Sequence, residues 1–146
     1  MIEPKDFPKH LKTIKKEDWD KDEMKDKGPL GGILTGLENS STQKNLVLGC
    51  DMPFLSEKIL TELINACGDE DVLLTEHNGK AEPLCSVYNK NCLIHIRLLL
   101  EQNQLKITKA LEELNTRVIS FDDEPWFCGN EFVNINSIEE LRKYDS

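Results

Sequence analysis

The chain has 146 residues, 38% of them hydrophobic and 31% charged, which is the composition of one globular domain with a core rather than of a disordered chain. A formal net charge of −9, from 18 Lys+Arg against 27 Asp+Glu, excludes a sequence-independent nucleic-acid binder, because no basic surface is available to replace phosphate counterions. No apolar run approaches the ~20 residues of a membrane helix, and the N-terminus carries no apolar signal region, so a soluble, cytoplasmic protein is expected.

Residues 1–27 hold eight Lys and eight acidic residues, so the whole negative excess belongs to the remainder. Residues 1–21 are mostly polar and without a clear period, and they are expected to form a poorly packed arm or remnant. Regular patterning begins at Gly28. Gly28-Pro29-Leu30-Gly31-Gly32 stands before an apolar stretch and predicts a loop entering a helix. Residues 45–50, nearly all apolar, predict a strand buried on both faces, ending at Asp51-Met52-Pro53. Ser56 is placed to cap a helix whose apolar face is Ile59, Leu60, Leu63, Ile64 and Cys67, with Gly68 as its stop. Strands are predicted over residues 71–75 and 84–88, separated by an Asn78-Gly79 turn. A helix near residues 90–101 and another through Ile107, Ala110, Leu111 and Leu114 follow, then strands over 118–121 and 132–135. Ser137 and Glu140 make a capping box for a last helix over 137–144.

This alternation predicts an α/β layered fold with a mostly parallel sheet, whose ligands bind beyond the carboxyl ends of the strands. Five cysteines without a Cys-x-x-Cys pair predict reduced, mostly buried thiols rather than a zinc site. His95, inside Leu93-Ile94-His95-Ile96, is expected to pack rather than to do chemistry.

The strand-end rule selects four places. Asp51, directly after a buried strand, can hold a hard cation such as Mg²⁺. The Gly28–Gly32 segment can offer backbone amides to a phosphate or a polar ring. Asn134 and Asn136, on one face of a strand end, can orient a ligand. Glu82 and Pro83 open the 84–88 strand. Taken singly, each is equally readable as an ordinary turn.

In this order, GPLGGI at 28–33, LGCDMPFL at 48–55, EPLCSVY at 82–88 and FVNINSIEEL at 132–141 resemble the molybdenum cofactor guanylyltransferases, from about Asp22 to Leu141. The resemblance implies a Rossmann-like nucleotidyltransferase fold, a three-layer sandwich. It implies transfer of GMP from Mg-GTP to the phosphate of molybdenum-carrying molybdopterin, with release of pyrophosphate. By position it assigns Asp51 to the metal and the GTP phosphates, and Gly28, Pro29, Leu30, Gly31 and Gly32 to the nucleotide border. It assigns Asp22, with Asp20 as competitor, to an acidic position of the GTP site. Asn134 and Asn136 take the polar strand end, and Glu82 and Pro83 the pterin side. Molybdoenzymes or their chaperones are the implied protein partners.

The family opens on a strand leading into Leu-Ala-Gly-Gly-x-Ser-x-Arg-Met-Gly-x-Asp-Lys, and nothing of that form occurs here. The expectation is therefore an N-terminal arm over 1–21 and a partial transferase domain over 22–146. The first βα portion should be missing and activity of the chain alone impaired. Two other readings stay open: a related nucleotidyltransferase using CTP or another phosphorylated acceptor, and a non-catalytic module for molybdoenzyme maturation.

Overall fold

The computed structural model describes residues 11–15, 28–49, 56–129 and 132. Five strands form one sheet: β1 (Leu11–Lys15), β2 (Lys44–Leu48), β3 (Val72–His77), β4 (Lys80–Asn89) and β5 (Thr116–Ser120), in the order β1-β2-β4-β3-β5. β1 pairs with β2 and β5 with β3 in parallel, while β4 pairs antiparallel with both β2 and β3. Among the described strands, therefore, β4 alone runs against the other four. The mostly parallel α/β sheet expected from the pattern is present.

Among the described residues four helices cover the sheet: α1 (Gly28–Glu38), α2 (Glu57–Ala66), α3 (Cys92–Glu101) and α4 (Ile107–Glu113). Alternation along the strands divides the core into two layers. Val47, Val72, Leu74 and Tyr88 face α1, α3 and α4, meeting Leu30, Ile33, Leu37, Ile96, Leu99 and Ala110. Leu46, Leu48, Leu73, Cys85 and Val87 face the opposite way, onto Ile59, Leu60 and Leu63 of α2 and onto Phe121 and Phe132.

Local chemistry accounts for the boundaries. Ser56 takes an extended backbone and its Oγ accepts from the Ile59 amide at 3.4 Å, capping α2 beside Glu57. Asn78 and Gly79 both have positive φ, 51° and 77°, which is the two-residue hairpin geometry whose twist matches the flanking strands. The register His77↔Lys80 closes that hairpin, so β4 begins at once.

Two expectations are corrected and one gains detail. Within the segment 1–21, expected as an arm or remnant, Leu11–Lys15 is a strand paired in parallel with Lys44–Leu48. Its Leu-Lys-Thr-Ile-Lys sequence is too short and polar to announce itself, and the neighbouring strand supplies the hydrogen-bond partners. The Gly28–Gly32 segment is not a loop before a helix but the first turns of α1 itself. Gly28 adopts φ +63°, a conformation open to glycine, and Pro29 suits a helix's first turn. His95 does not pack in the core: the helix turns it outward, where Nε2 lies 2.7 Å from Glu113, and Cys92, Ile96, Leu99 and Leu100 are the buried positions of α3.

Cys85 and Cys92 are buried, Cys67 is half-buried and Cys128 exposed, all four as free thiols. Burial pushes the Cys92 thiol up to about 12, with Asp71 adding to the effect, so it stays protonated. The predicted strand 132–135 and helix 137–144 lie outside the described residues apart from Phe132.

Candidate functional site

Because β1, β2, β3 and β5 run together, their carboxyl ends define one edge of the sheet, and β4 starts from that edge. Leu48, His77 and Ser120 end their strands there, and Glu82 and Pro83 lie in the opening of β4.

α1 reaches the same edge. Its last residues lead into Ser40, whose Oγ donates to Asn45 Oδ1 at 2.6 Å beside the start of β2. The helix lies along the sheet through Leu30, Ile33, Leu34 and Leu37, so it runs opposite to β2. Eleven residues at 1.5 Å each carry its N-terminus ~16 Å away, about the length of β2. Gly28 and Pro29 are exposed at that end, while Leu30, Gly31 and Gly32 are buried. The opening amides of a helix lack intrahelical partners and carry its positive pole, so this end is suited to an anion.

Glu82 and Pro83 are held from below by a buried polar network at a register shift in the β3–β4 pairing, where Pro83–Ser86 of β4 bulge opposite Leu74 alone. Thr75 Oγ1 donates to the Cys85 carbonyl at 2.6 Å, and the Thr75 amide donates to Ser86 Oγ at 3.1 Å. Ser86 Oγ in turn donates to the Glu82 carbonyl at 2.8 Å, and Tyr88 Oη donates to the Pro83 carbonyl at 2.8 Å. Thr75 and Ser86 are fully buried and Glu82 is 8% exposed. Pro83 lacks an amide hydrogen, and a bulge is where a strand tolerates it. Burial drives the Tyr88 phenol well above its ordinary value, so it remains a donor.

Asp51, Asp22, its competitor Asp20, Asn134 and Asn136 lie outside the described residues. Described residues stand near two of them in sequence. Gly49, two residues before Asp51, donates its amide to the Leu84 carbonyl at 2.7 Å. Phe132, two residues before Asn134, is buried against His77 and Phe127, with ring centres 5.7 and 5.8 Å away. Thus the Gly28–Gly32 turn, the exit of β2, Glu82–Pro83 and Phe132 converge on one edge.

The structure adds a pair that the sequence reading passed over. His77 Nδ1 lies 2.5 Å from Asp122 Oδ1, and the Asn78 amide donates to Asp122 Oδ2 at 2.9 Å. The His77 bond, and after it the Asn78 amide, hold the Asp122 carboxyl below its usual range. The same strand-end rule that selected Asp51 points to His77 and Asp122, each at or just beyond the end of a parallel strand. Among the described residues no group of three or more His, Cys, Asp or Glu side chains is gathered for a metal ion, and no helix is long and apolar enough to cross a membrane.

Comparison with known proteins agrees with this architecture. A protein of Flavobacterium johnsoniae named "Probable molybdenum cofactor guanylyltransferase" is 36% identical over 117 residues, covering 80% of this chain and 60% of the relative. The molybdenum cofactor guanylyltransferase of Vibrio atlanticus is 33% identical over 118 residues, covering 80% and 59%. The crystal structure of molybdopterin-guanine dinucleotide biosynthesis protein A from Archaeoglobus fulgidus superposes with a TM-score of 0.65 at 27% identity, covering 80% of this chain and 60% of that one. The chain thus spans about 60% of the length of these relatives. The family model for the MobA-like NTP transferase domain matches residues 8–118, a range that takes in β1 and runs into β5. On that match over most of its length, and on the shared fold, the chain belongs to the family of MobA-like NTP transferase domains.

Proposed function

We propose that this protein serves the transfer of GMP from GTP to the phosphate of molybdenum-carrying molybdopterin, yielding the guanine dinucleotide cofactor and pyrophosphate. The observation that carries the reading is the convergence of α1's N-terminus, the exit of β2 and the Glu82–Pro83 segment at one sheet edge, in a chain aligned with relatives bearing that name. The acceptor phosphate oxygen bonds to the α-phosphorus of GTP, the bond from that phosphorus to the bridging oxygen breaks, and pyrophosphate leaves with the electron pair. The nucleophile is already an anion, so no strong general base is required, and the problem is repulsion between two anions.

The N-terminus of α1, at Gly28–Gly32, supports the reading as a nucleotide border where amides and the helix pole face negative charge. Glu82 and Pro83 would form the pterin side, fixed in place by the Thr75–Ser86 network. Mg²⁺ enters with GTP, and Asp51 is the proposed protein ligand, Asp22 the proposed guanine acceptor, and Asn134 and Asn136 the proposed orienting amides. The reaction is placed in the cytoplasm, with a molybdoenzyme or its chaperone as recipient of the product.

The test is pyrophosphate release by the purified chain with Mg-GTP and molybdopterin, repeated with CTP and ATP. GTP-dependent release above the other nucleotides supports the reading. Equal use of CTP moves the protein to a cytidylyl transfer, and no binding of any Mg-nucleotide overturns it.

A further inference from the structure

We propose that His77 and Asp122 are positioning residues for the phosphorylated pterin acceptor, locking the β3–β4 turn to the segment after β5 so that the acceptor meets a preformed surface. The inference rests on the transferase reading for its ligand and on geometry for its mechanism. β3 and β5 are parallel neighbours, and the pair joins their ends across 45 residues of sequence. Asp122 takes one hydrogen bond on each oxygen, from His77 Nδ1 and from the Asn78 amide. An ionised carboxylate only accepts, so the proton sits on Nδ1. The Asn78 side-chain amide stands 3.3 Å from Nε2. The imidazole also packs into an aromatic cluster: its ring meets Phe127 edge-on at 5.2 Å and Phe132 at 5.7 Å, and those two rings touch each other at 5.8 Å.

This arrangement is better suited to fixing geometry than to stabilising the fold. The side chains of His77 and Asp122 are 19% and 30% exposed, and an ion pair so placed adds little stability. The base of the hairpin is already secured by the Thr75–Ser86 network, whereas the turn itself, Asn78–Gly79, is tied to the rest of the described protein through Asp122. What the pair controls is the relation between two segments. One is Lys80–Pro83, entered directly from the turn, and the other is the aromatic run through Trp126, Phe127 and Phe132 that leads to Asn134. The α1 residues pack in the layer of Val47, Val72, Leu74 and Tyr88, whereas Trp126, Phe127 and Phe132 pack in the opposite layer. Loosening the pair should therefore weaken the acceptor and spare the nucleotide.

The test compares His77→Ala, Asp122→Ala and Asp122→Asn in the full chain, titrating Mg-GTP and molybdopterin separately by calorimetry and following backbone amide exchange. The two alanine variants are expected to weaken molybdopterin binding by about tenfold or more, with Mg-GTP affinity unchanged, the scale of losing one charge-assisted hydrogen bond. Asp122→Asn keeps one acceptor oxygen and should recover part of the loss. Amides of residues 78–82 should exchange faster in both alanine variants. Equal weakening of both ligands, or undiminished molybdopterin binding, overturns the proposal. A wild-type chain that binds neither ligand counts against the transferase reading. The pair is then judged on exchange alone: faster exchange at 78–82 supports it, and unchanged exchange overturns it.

Discussion

The two ends of the sheet are built from similar residues used in opposite ways. At the amino ends of the parallel strands the polar groups close on one another. Glu70, almost wholly buried, receives the Arg117 guanidinium and the Gly68 amide, while Arg117 also reaches the Ala66 carbonyl and Lys44 the Gly68 carbonyl. Asp71 accepts from the Asn115 amide at 3.1 Å, and Asn45 links Ser40 to the Tyr88 carbonyl. Burial opposes ionisation of Glu70, but Arg117, the Gly68 amide and Lys44 outweigh it and hold the carboxyl below its usual value. At the carboxyl ends, the His77–Asp122 pair, partly exposed, and the buried Glu82–Pro83 opening secure strand ends and a turn. The difference separates two kinds of site: charge at the amino end closes on structure, and the pair at the carboxyl end ties a turn to the segment after β5.

The largest expected effect falls on the carboxyl end. Asp51→Asn should remove Mg²⁺-dependent nucleotide turnover, a loss of several kcal/mol in transition-state stabilisation, by analogy with other metal-assisted transfers. Its thermal midpoint should stay near that of the wild type. Unchanged kinetics with normal Mg²⁺ dependence would reject the assignment.

Next in size is Glu70→Ala at the amino end. It strips Arg117 and the Gly68 amide of their partner and should cost about 2 kcal/mol of unfolding free energy in urea titration, in line with hydrogen bonds to charged groups. Mg-GTP affinity should not move. A change in affinity larger than the change in stability would erase the distinction between the two ends.

Gly79→Ala is expected to cost about 1 kcal/mol, because φ +77° is a left-handed conformation strained for any residue with a Cβ. An added Cβ meets nothing within 4 Å, so the cost is conformational and not steric crowding. Denaturant melting measures the stability, and molybdopterin titration should show a larger relative effect than Mg-GTP titration.

The smallest effect is the response to acid. Glu70 and Asp122 both ionise more readily in the folded protein than their ordinary values of 4.5 and 3.8. A depressed folded pKa means that stability is fully present above the ordinary value and is lost as pH falls through the folded one. Stability should therefore fall below about pH 4.5, and Glu70→Gln should flatten the acid limb more than Asp122→Asn, as Glu70 is the more buried.

Much of this architecture is visible in local chemistry. The apolar runs at β2 and β3, the Ser56 cap, the Asn78-Gly79 turn and the period of α2 each declare an element from its own residues. β4 is longer than its apolar stretch, because Lys80–Pro83 is polar and contains a proline. It becomes strand through pairing with β3 and through the bulge that accepts Pro83. β1 carries no apolar signal of its own and exists through the register it makes with β2.

The candidate site divides in the same way. Gly28–Gly32, Asp51, Glu82 and Asn134 could be picked out because strand ends and glycines mark a chemistry that depends on backbone position. His77 and Asp122 stand 45 residues apart and have no motif. A hydrogen bond between side chains on different strands is a matter of strand order, and strand order is set by how two apolar layers are buried at once. The amino acid sequence by itself determined the strands, caps and turn whose preferences lie within a few residues. Only the tertiary structure decided that β5 lies beside β3, which brings a histidine and an aspartate into contact, and that a polar stretch near the N-terminus completes the sheet's edge.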